Sequence, residues 1–165
     1  MVFDVQSILK TDGAKMQLAG LLDVPELYQN SEYDFGEGAR FSGVVANIGG
    51  VLELTVSAEG TFCVPCARCA KETRQTFSVS VRETLTDCDG KATESEERVL
   101  LCGTSLDMDD VLWPEIFLTL EPKYLCKPDC KGLCPQCGAD LNENPCDCKE
   151  DTIDPRMAGL ADLLQ

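Results

Sequence analysis

The cysteine-rich stretch towards the end of the chain constrains its fold more than any other feature. Six of the eleven cysteines lie between positions 126 and 148, with the spacing C-x3-C-x3-C-x2-C-x8-C-x-C. Charged and amide side chains separate these thiols, so they cannot all be buried as small apolar groups. The run Cys134-Pro-Gln-Cys137-Gly138 is typical of a zinc knuckle, in which two thiolates face one ion and glycine takes a left-handed conformation. The stretch predicts a tetrahedral, structural Zn²⁺ site.

The chain contains no histidine, so cysteine must supply the ligands of such a site. Zinc takes four ligands and the stretch offers six. Two thiols on either side of a single residue form a strained chelate to one tetrahedral ion, which disfavours the C-x-C pair. The predicted ligands are therefore Cys126, Cys130, Cys134 and Cys137, with Cys146 and Cys148 as alternates.

A second set of cysteines, Cys63, Cys66 and Cys69, lies far upstream between two predicted strands. A hairpin tip of this kind is where one half of a zinc ribbon would sit. An alternative single site therefore joins this tip to the tail, with Cys66 and Cys69 opposite Cys134 and Cys137. The number of sites, one or two, stays open at this point.

The composition favours a cytoplasmic protein. No segment approaches the ~20 apolar residues of a membrane helix, and no basic start precedes a long apolar run. An odd number of cysteines without a signal peptide favours metal-bound or reduced thiols over disulfides.

The formal charge of −15 argues against RNA binding by the whole surface, because phosphates need cationic partners. The acidic residues concentrate between positions 83 and 115, which suits a basic protein partner or a solvated loop.

Hydrophobic patterning predicts a mostly antiparallel sheet. Arg40–Asn47 and Val51–Thr61 are joined by paired glycines, a hairpin signal, and Phe77–Leu85 alternates apolar and polar residues as a half-buried strand does. Lys15–Val24 and Arg98–Cys102 are further strand candidates, with an acidic loop from Asp87 to Glu97.

Helical spacing appears after Ser105-Leu-Asp107, which offers capping side chains. The helical segment spans 107–120, and Pro114 implies either a kink or a start near Trp113. A short terminal helix is expected over Asp154–Leu164. The expected class is α+β: a β-rich domain over residues 1–122 and a zinc-binding tail over 123–165.

No catalytic apparatus is recognisable. The lack of histidine excludes Ser-His and Cys-His catalysis, no glycine-rich phosphate loop is present, and a closed site of four thiolates leaves no position for water. We therefore expect no enzyme activity and no small-molecule substrate.

Three motifs resemble the bacterial YceD family, named for accumulation of large ribosomal RNA. They are the C-x-R-C loop at Cys66–Cys69, the run C-K-G-L-C-P-x-C-G-x-x-L-N at Cys130–Asn142, and D-P-R-x-x-x-L at Asp154–Leu160. The resemblance implies a role in 23S rRNA accumulation or processing, and so in assembly of the large ribosomal subunit, without known catalysis. It makes the C-x-R-C loop the better candidate for a shared function, with zinc as a stabiliser.

The leading hypothesis is a non-enzymatic assembly factor. It would contact ribosomal RNA through Arg68, Lys71 and Arg74, or a basic large-subunit protein or assembly factor through its acidic loop. The alternatives are a thiol redox protein using Cys63 and Cys66, and a zinc-dependent regulatory module that senses metal or oxidant through surplus cysteines.

Overall fold

A computed structural model describes residues 1–29, 32–87 and 99–148 of the chain. Its strands and helices, in chain order, are β1 (Val2–Asp4), α1 (Gln6–Leu9), β2 (Lys15–Leu22), α2 (Glu26–Gln29), β3 (Ala39–Ile48), β4 (Val51–Pro65), β5 (Glu72–Asp87), β6 (Val99–Cys102), β7 (Ser105–Asp107) and α3 (Met108–Thr119).

The strands form one seven-stranded sheet in the order β1-β7-β6-β5-β4-β3-β2. Neighbouring strands are antiparallel, except that β5 and β6 run parallel. The predicted α+β class, with a mostly antiparallel sheet, few short helices and a cysteine-rich tail able to hold metal, is confirmed.

The hairpin between β3 and β4 turns at the two glycines that the sequence singled out. Gly49 and Gly50 have φ values of 64° and 90°, as a two-residue hairpin turn with the twist of the flanking strands requires. Asn47, which is 2% exposed, stabilises the turn because its Oδ1 accepts a hydrogen bond from Gly50 N at 2.9 Å.

The long strands β4 and β5 extend further than predicted. Phe62 and Val64 continue the buried alternation of β4 beyond Thr61, so that this strand ends only at Pro65. The extended strands therefore carry the Cys66–Cys69 loop well clear of the centre of the sheet.

One face of the sheet forms the core and α3 packs against it. Alternate residues of the central strands are buried, Leu54 and Val56 on β4 and Val79 and Val81 on β5 among them. An antiparallel sheet with one face on the core and the other in water shows this pattern.

The helix α3 begins at Met108 and continues through Pro114, so the alternative start near Trp113 is not the one the fold adopts. Asp107 caps it, accepting a hydrogen bond from Asp109 N at 3.1 Å. Trp113 is 1% exposed, and its indole Nε1 donates to Asp23 O at 3.1 Å.

Aromatic side chains continue from the core towards the tail. The ring of Tyr124 lies 5.3 Å from that of Phe62 and 6.4 Å from that of Tyr33. Ala67 N also donates to Tyr124 O at 2.9 Å, so the chain after the helix is fixed beside the β4–β5 loop. The predicted loop after Asp87 and the predicted helix over Asp154–Leu164 lie outside the described residues, and the division at 122 and 123 remains a prediction.

Candidate metal centre

Eight cysteines form two groups of four. The inner group is Cys66, Cys69, Cys126 and Cys130, and the outer group is Cys134, Cys137, Cys146 and Cys148. Within each group all four Sγ atoms lie within 4.8 Å of one another, so each can hold a metal ion.

The sulfur separations in the inner group fit a tetrahedral ion. The Sγ atoms of Cys69 and Cys126 are 3.6 Å apart, and those of Cys66 and Cys130 are 3.9 Å apart. Zn–S bonds of ~2.3 Å place the corners of a tetrahedron about 3.8 Å apart. A disulfide needs about 2.05 Å, and all eight thiols are free.

The β4–β5 loop and the tail each supply half of the inner group. Cys66 N donates to Lys71 O at 2.8 Å and Ala70 N donates to Cys66 O at 2.9 Å, which closes the loop into a tight turn. Ala70 has a positive φ of 57° in this turn. Cys66, Cys69 and Cys130 are buried, so the inner group is largely shielded from water.

The outer group is built on the predicted knuckle. Gly138, at φ 74°, donates its N–H to Cys134 O at 2.9 Å, and Cys134 N donates to Ala139 O at 2.8 Å. The knuckle brings two thiols together, and the following loop returns Cys146 and Cys148 to them. Cys137 and Cys148 are exposed, so the outer group is the more accessible of the two.

Protons are unevenly shared within each group. Backbone hydrogen bonds lower the pKa of two thiols to about 6. The largest contribution comes from the backbone of Cys126 for Cys66, and from the backbone of Cys137 for Cys134. Desolvation of its sulfur among the other thiols raises the pKa of Cys126 to about 12, and the hydrogen bond to the Cys137 thiol raises the pKa of Cys148 to about 12. Four adjacent thiolates repel one another, so protons remain until a cation replaces them.

The structure divides the four first-choice ligands between the groups. Cys126 and Cys130 belong to the inner group, with the alternates Cys66 and Cys69. Cys134 and Cys137 belong to the outer group, where the C-x-C pair of Cys146 and Cys148 completes the set. Neither single-site combination predicted from the sequence is brought together. Each group instead combines two pairs of cysteines, and in the inner group one pair comes from the β4–β5 loop and the other from the tail.

Cys63 belongs to neither group. It lies on β4, where its backbone exchanges hydrogen bonds with Asp34 at 2.7 and 2.9 Å. Cys66, its partner in the redox hypothesis, is one of the inner four.

Two of the three cationic candidates hold the tail in place. Arg68 Nη1 donates to Cys130 O at 2.6 Å. Lys71 Nζ lies 3.2 Å from an Asp140 oxygen and 2.6 Å from a Glu143 oxygen, and these carboxylates raise the pKa of the lysine well above its ordinary value. Arg74 is exposed on β5 opposite Cys63 and makes no ion pair with a described residue.

Asn142 and Asp140 are residues of the site that the sequence did not single out. Asn142 Nδ2 donates to Cys130 Sγ at 3.4 Å and to Asp140 Oδ1 at 2.8 Å. The hydrogen bonds from Asn142 lower the pKa of Asp140, with a further contribution from Lys71. The only sequence signal for Asn142 was its place at the end of the C-K-G-L-C-P-x-C-G-x-x-L-N run.

The fold and the site together define a small β-sheet protein whose tail is built around two cysteine groups. The sequence profile of a family described as "Large ribosomal RNA subunit accumulation protein YceD" matches residues 54–164. The chain belongs to this family, as the resemblance predicted.

Among its relatives, the uncharacterized protein Rv2926c of Mycobacterium tuberculosis (strain H37Rv) is 33% identical over 116 residues, 66% of this chain and 56% of the relative. The uncharacterized protein YlbN of Bacillus subtilis (strain 168) is 25% identical over 115 residues, 69% of this chain and 66% of the relative. The chain thus spans little more than half the length of its mycobacterial relatives. No solved structure matches, and no helix among the described residues is long and apolar enough to cross a membrane.

Proposed function

We propose that this protein is a non-enzymatic factor in the accumulation and processing of 23S ribosomal RNA, and so in assembly of the large ribosomal subunit. Membership of the family named for that accumulation carries the proposal. The match includes the β4–β5 loop and all eight grouped cysteines, so it covers the centre described above.

We propose Zn²⁺ as the metal of both groups, in a structural role. Sulfur-only, tetrahedral sets of four suit zinc, which has no geometric preference of its own. When bound, each ion would cross-link its segments and supply folding free energy to a tail that has little apolar surface. Four protein ligands leave no open position for a water or substrate, which supports a role without catalysis.

The exposed cations around the inner group are the proposed contact with RNA. Arg74, Lys123, Lys127 and Lys131 are all exposed and lie beside the inner group in sequence. With a formal charge of −15, the rest of the surface would repel RNA, so RNA would bind only at these exposed cations. A basic large-subunit protein bound to the acidic residues is the alternative partner. Either partner would place the protein in the cytoplasm.

Depletion of the protein in its own host tests the function. We expect the ratio of 23S to 16S rRNA to fall, and expression of the intact chain to restore it. An unchanged ratio, with normal large-subunit levels in a sucrose gradient, would overturn the proposal.

A charge reversal on β5 tests the contact. Arg74→Glu removes an exposed cation beside the cysteine loop that makes no ion pair with a described residue. Arg82→Glu makes the same change on the same strand, at a side chain 3.1 Å from Glu53. We expect Arg74→Glu to reduce cross-linking to rRNA several-fold and Arg82→Glu to leave it near the wild-type level. Equal cross-linking by the two variants, with a ribosomal protein recovered after RNase treatment, would favour the protein partner.

A further inference from the structure

The segment that closes the outer group also lies against the inner group. Residues 138–145 connect Cys137 to Cys146, and within them Leu141 N donates to Gly132 O at 3.0 Å. Leu133 and Asp140 form an isolated antiparallel bridge. This connection, which we term the linking loop, therefore packs along the stretch that follows the inner ligand Cys130.

Asn142 is the side chain of the linking loop that reaches a sulfur of the inner group. Its Oδ1 accepts from Lys131 N at 2.9 Å, which fixes the orientation of the amide. Its Nδ2 then donates to Cys130 Sγ at 3.4 Å and to Asp140 Oδ1 at 2.8 Å. Both ends of the amide are occupied, so the N–H group that faces the sulfur is positioned from two sides.

The β4–β5 loop holds the linking loop from the other side. Lys71, two residues after the ligand Cys69, pairs with Asp140 and Glu143 of the linking loop. Arg68, between two inner ligands, accepts at its carbonyl from Leu133 N at 3.1 Å, and Leu133 is in turn the bridge partner of Asp140 in the linking loop. Each half of the inner group thus touches the chain that closes the outer group.

We infer that the two cysteine groups bind two metal ions as one coupled unit, in which Asn142 positions and stabilises the Cys130 thiolate of the inner group. A hydrogen bond to a metal-bound sulfur stabilises its negative charge, and partners of this kind change metal affinity by about 10–100-fold. Loss of the outer ion frees the linking loop, and with it the amide that supports the inner ion. The inference rests on the metal binding proposed above and goes beyond the ribosomal role.

A matched pair of substitutions in the linking loop tests the role of Asn142. Asn142→Asp keeps an oxygen for Lys131 N, but it removes the N–H donor and places a carboxylate beside Cys130 Sγ. Asn144→Asp makes the same charge change two residues away, at an exposed side chain that makes no hydrogen bond to a described residue. All eight cysteines remain in both variants.

The intact chain is loaded with Zn²⁺, its metal content is measured, and release to a chromogenic chelator is followed. Wild type should hold two ions per chain, and Asn142→Asp should release one of them at least about 10-fold faster. Asn144→Asp should change both rates less than about 2-fold. In cadmium-loaded protein, the NMR resonance of the inner ion should move in Asn142→Asp and stay in place in Asn144→Asp.

Removal of an outer ligand tests the coupling itself. Cys148→Ser removes a ligand of the outer group alone, so the cadmium resonance that it alters most identifies the outer ion. It should also speed release of the inner ion, and the acceleration should be smaller when Asn142→Asp is already present. If wild type holds no metal, the zinc assignment and the coupling both fail, while rRNA accumulation in cells remains a separate test. If two ions bind and the inner one leaves equally fast from wild type, Asn142→Asp and Cys148→Ser, the coupling alone is overturned.

Discussion

Gly132 shows how closely the tail approaches the β4–β5 loop. Its φ is 78°, and a Cβ at this position would lie 3.0 Å from Arg68 O. That carbonyl accepts the hydrogen bond from Leu133 N, so a side chain at position 132 would disturb a contact between the two halves of the inner group. Glycine is needed here for its backbone conformation and for its lack of a side chain.

Gly132→Ala should therefore destabilise the metal-loaded protein by about 2 kcal/mol. About 1 kcal/mol comes from the left-handed conformation and a similar amount from the displaced hydrogen bond. Gly138→Ala is the control, since φ is 74° there but no atom lies within 4 Å of the added Cβ. Denaturant midpoints at a fixed free zinc concentration measure both. Equal losses in the two variants would show that the approach to Arg68 carries no cost.

The thiol pKa values predict how many protons metal binding displaces. Cys66 and Cys134, with pKa values lowered to about 6, are already ionised at pH 7.5. Filling both groups should then release no more than about six protons per chain, and the number should rise as the pH falls through 6. Calorimetry in buffers of different ionisation enthalpy measures it. Release of nearly eight protons at pH 7.5 would mean that the metal-free thiols keep the ordinary pKa of about 8.5.

At the level of elements, the sequence predicted most of the strand pattern. Alternation and paired glycines placed the centres of β3, β4 and β5 and the turn between the first two. The end of β4 was missed because the cysteines and Pro65 after Thr61 interrupt the β-forming composition. In the fold Phe77 lies over Gly60, within 2.7 Å of where a Cβ would be. The strand is thus supported by a neighbour that the sequence pattern does not reveal.

The grouping of the cysteines was only half predictable. Spacing identifies local chelating pairs such as Cys134 and Cys137, because two residues between them form a turn of the right size. It does not say which pairs combine. Cys66 and Cys130 are 64 positions apart, and they meet because long strands carry one loop to the place where Tyr124 fixes the tail.

Pro114 is an unusual residue for the interior of a helix, and its presence in α3 has a measurable consequence. It lies inside α3, where it lacks the N–H that would bond to the carbonyl four residues earlier. A proline in a helix interior costs about 3 kcal/mol, offset by up to ~1 kcal/mol from its restriction of the unfolded chain. Pro114→Ala should therefore raise the free energy of unfolding by about 2–3 kcal/mol, measured by urea denaturation.

The control for this change is Leu118→Ala on the same helix, at a side chain that is 74% exposed. It should alter stability by less than about 0.5 kcal/mol. A loss of stability in Pro114→Ala would show instead that packing of the proline ring outweighs the missing hydrogen bond.

At the scale of the whole molecule, the buried residues that the structure describes form two clusters. The apolar core consists mainly of residues of the sheet and α3, together with Val5, Ile8 and Phe35. Cys66, Cys69 and Cys130 form a second small cluster with Leu125 beside it. With both groups ionised and filled by Zn²⁺, the formal charge becomes about −19. We therefore expect the tail to depend on the proposed ions and on Arg68 and Lys71, whereas the sheet has its own hydrophobic core.

Metal removal should separate these two regions. Among the tryptic sites of the tail, Lys131 lies between an inner and an outer ligand, whereas Lys127 precedes Pro128 and resists trypsin. Because the sheet core contains none of the eight ligands, chelation should open the Lys131 site while Arg40 and Arg82, on β3 and β5, remain uncut. Mass spectrometry of timed digests, with and without added zinc, should show the Lys131 cut only in the metal-free chain. Far-ultraviolet circular dichroism should retain its strand signal in both forms, and its collapse on chelation would mean that sheet and tail fold as one unit.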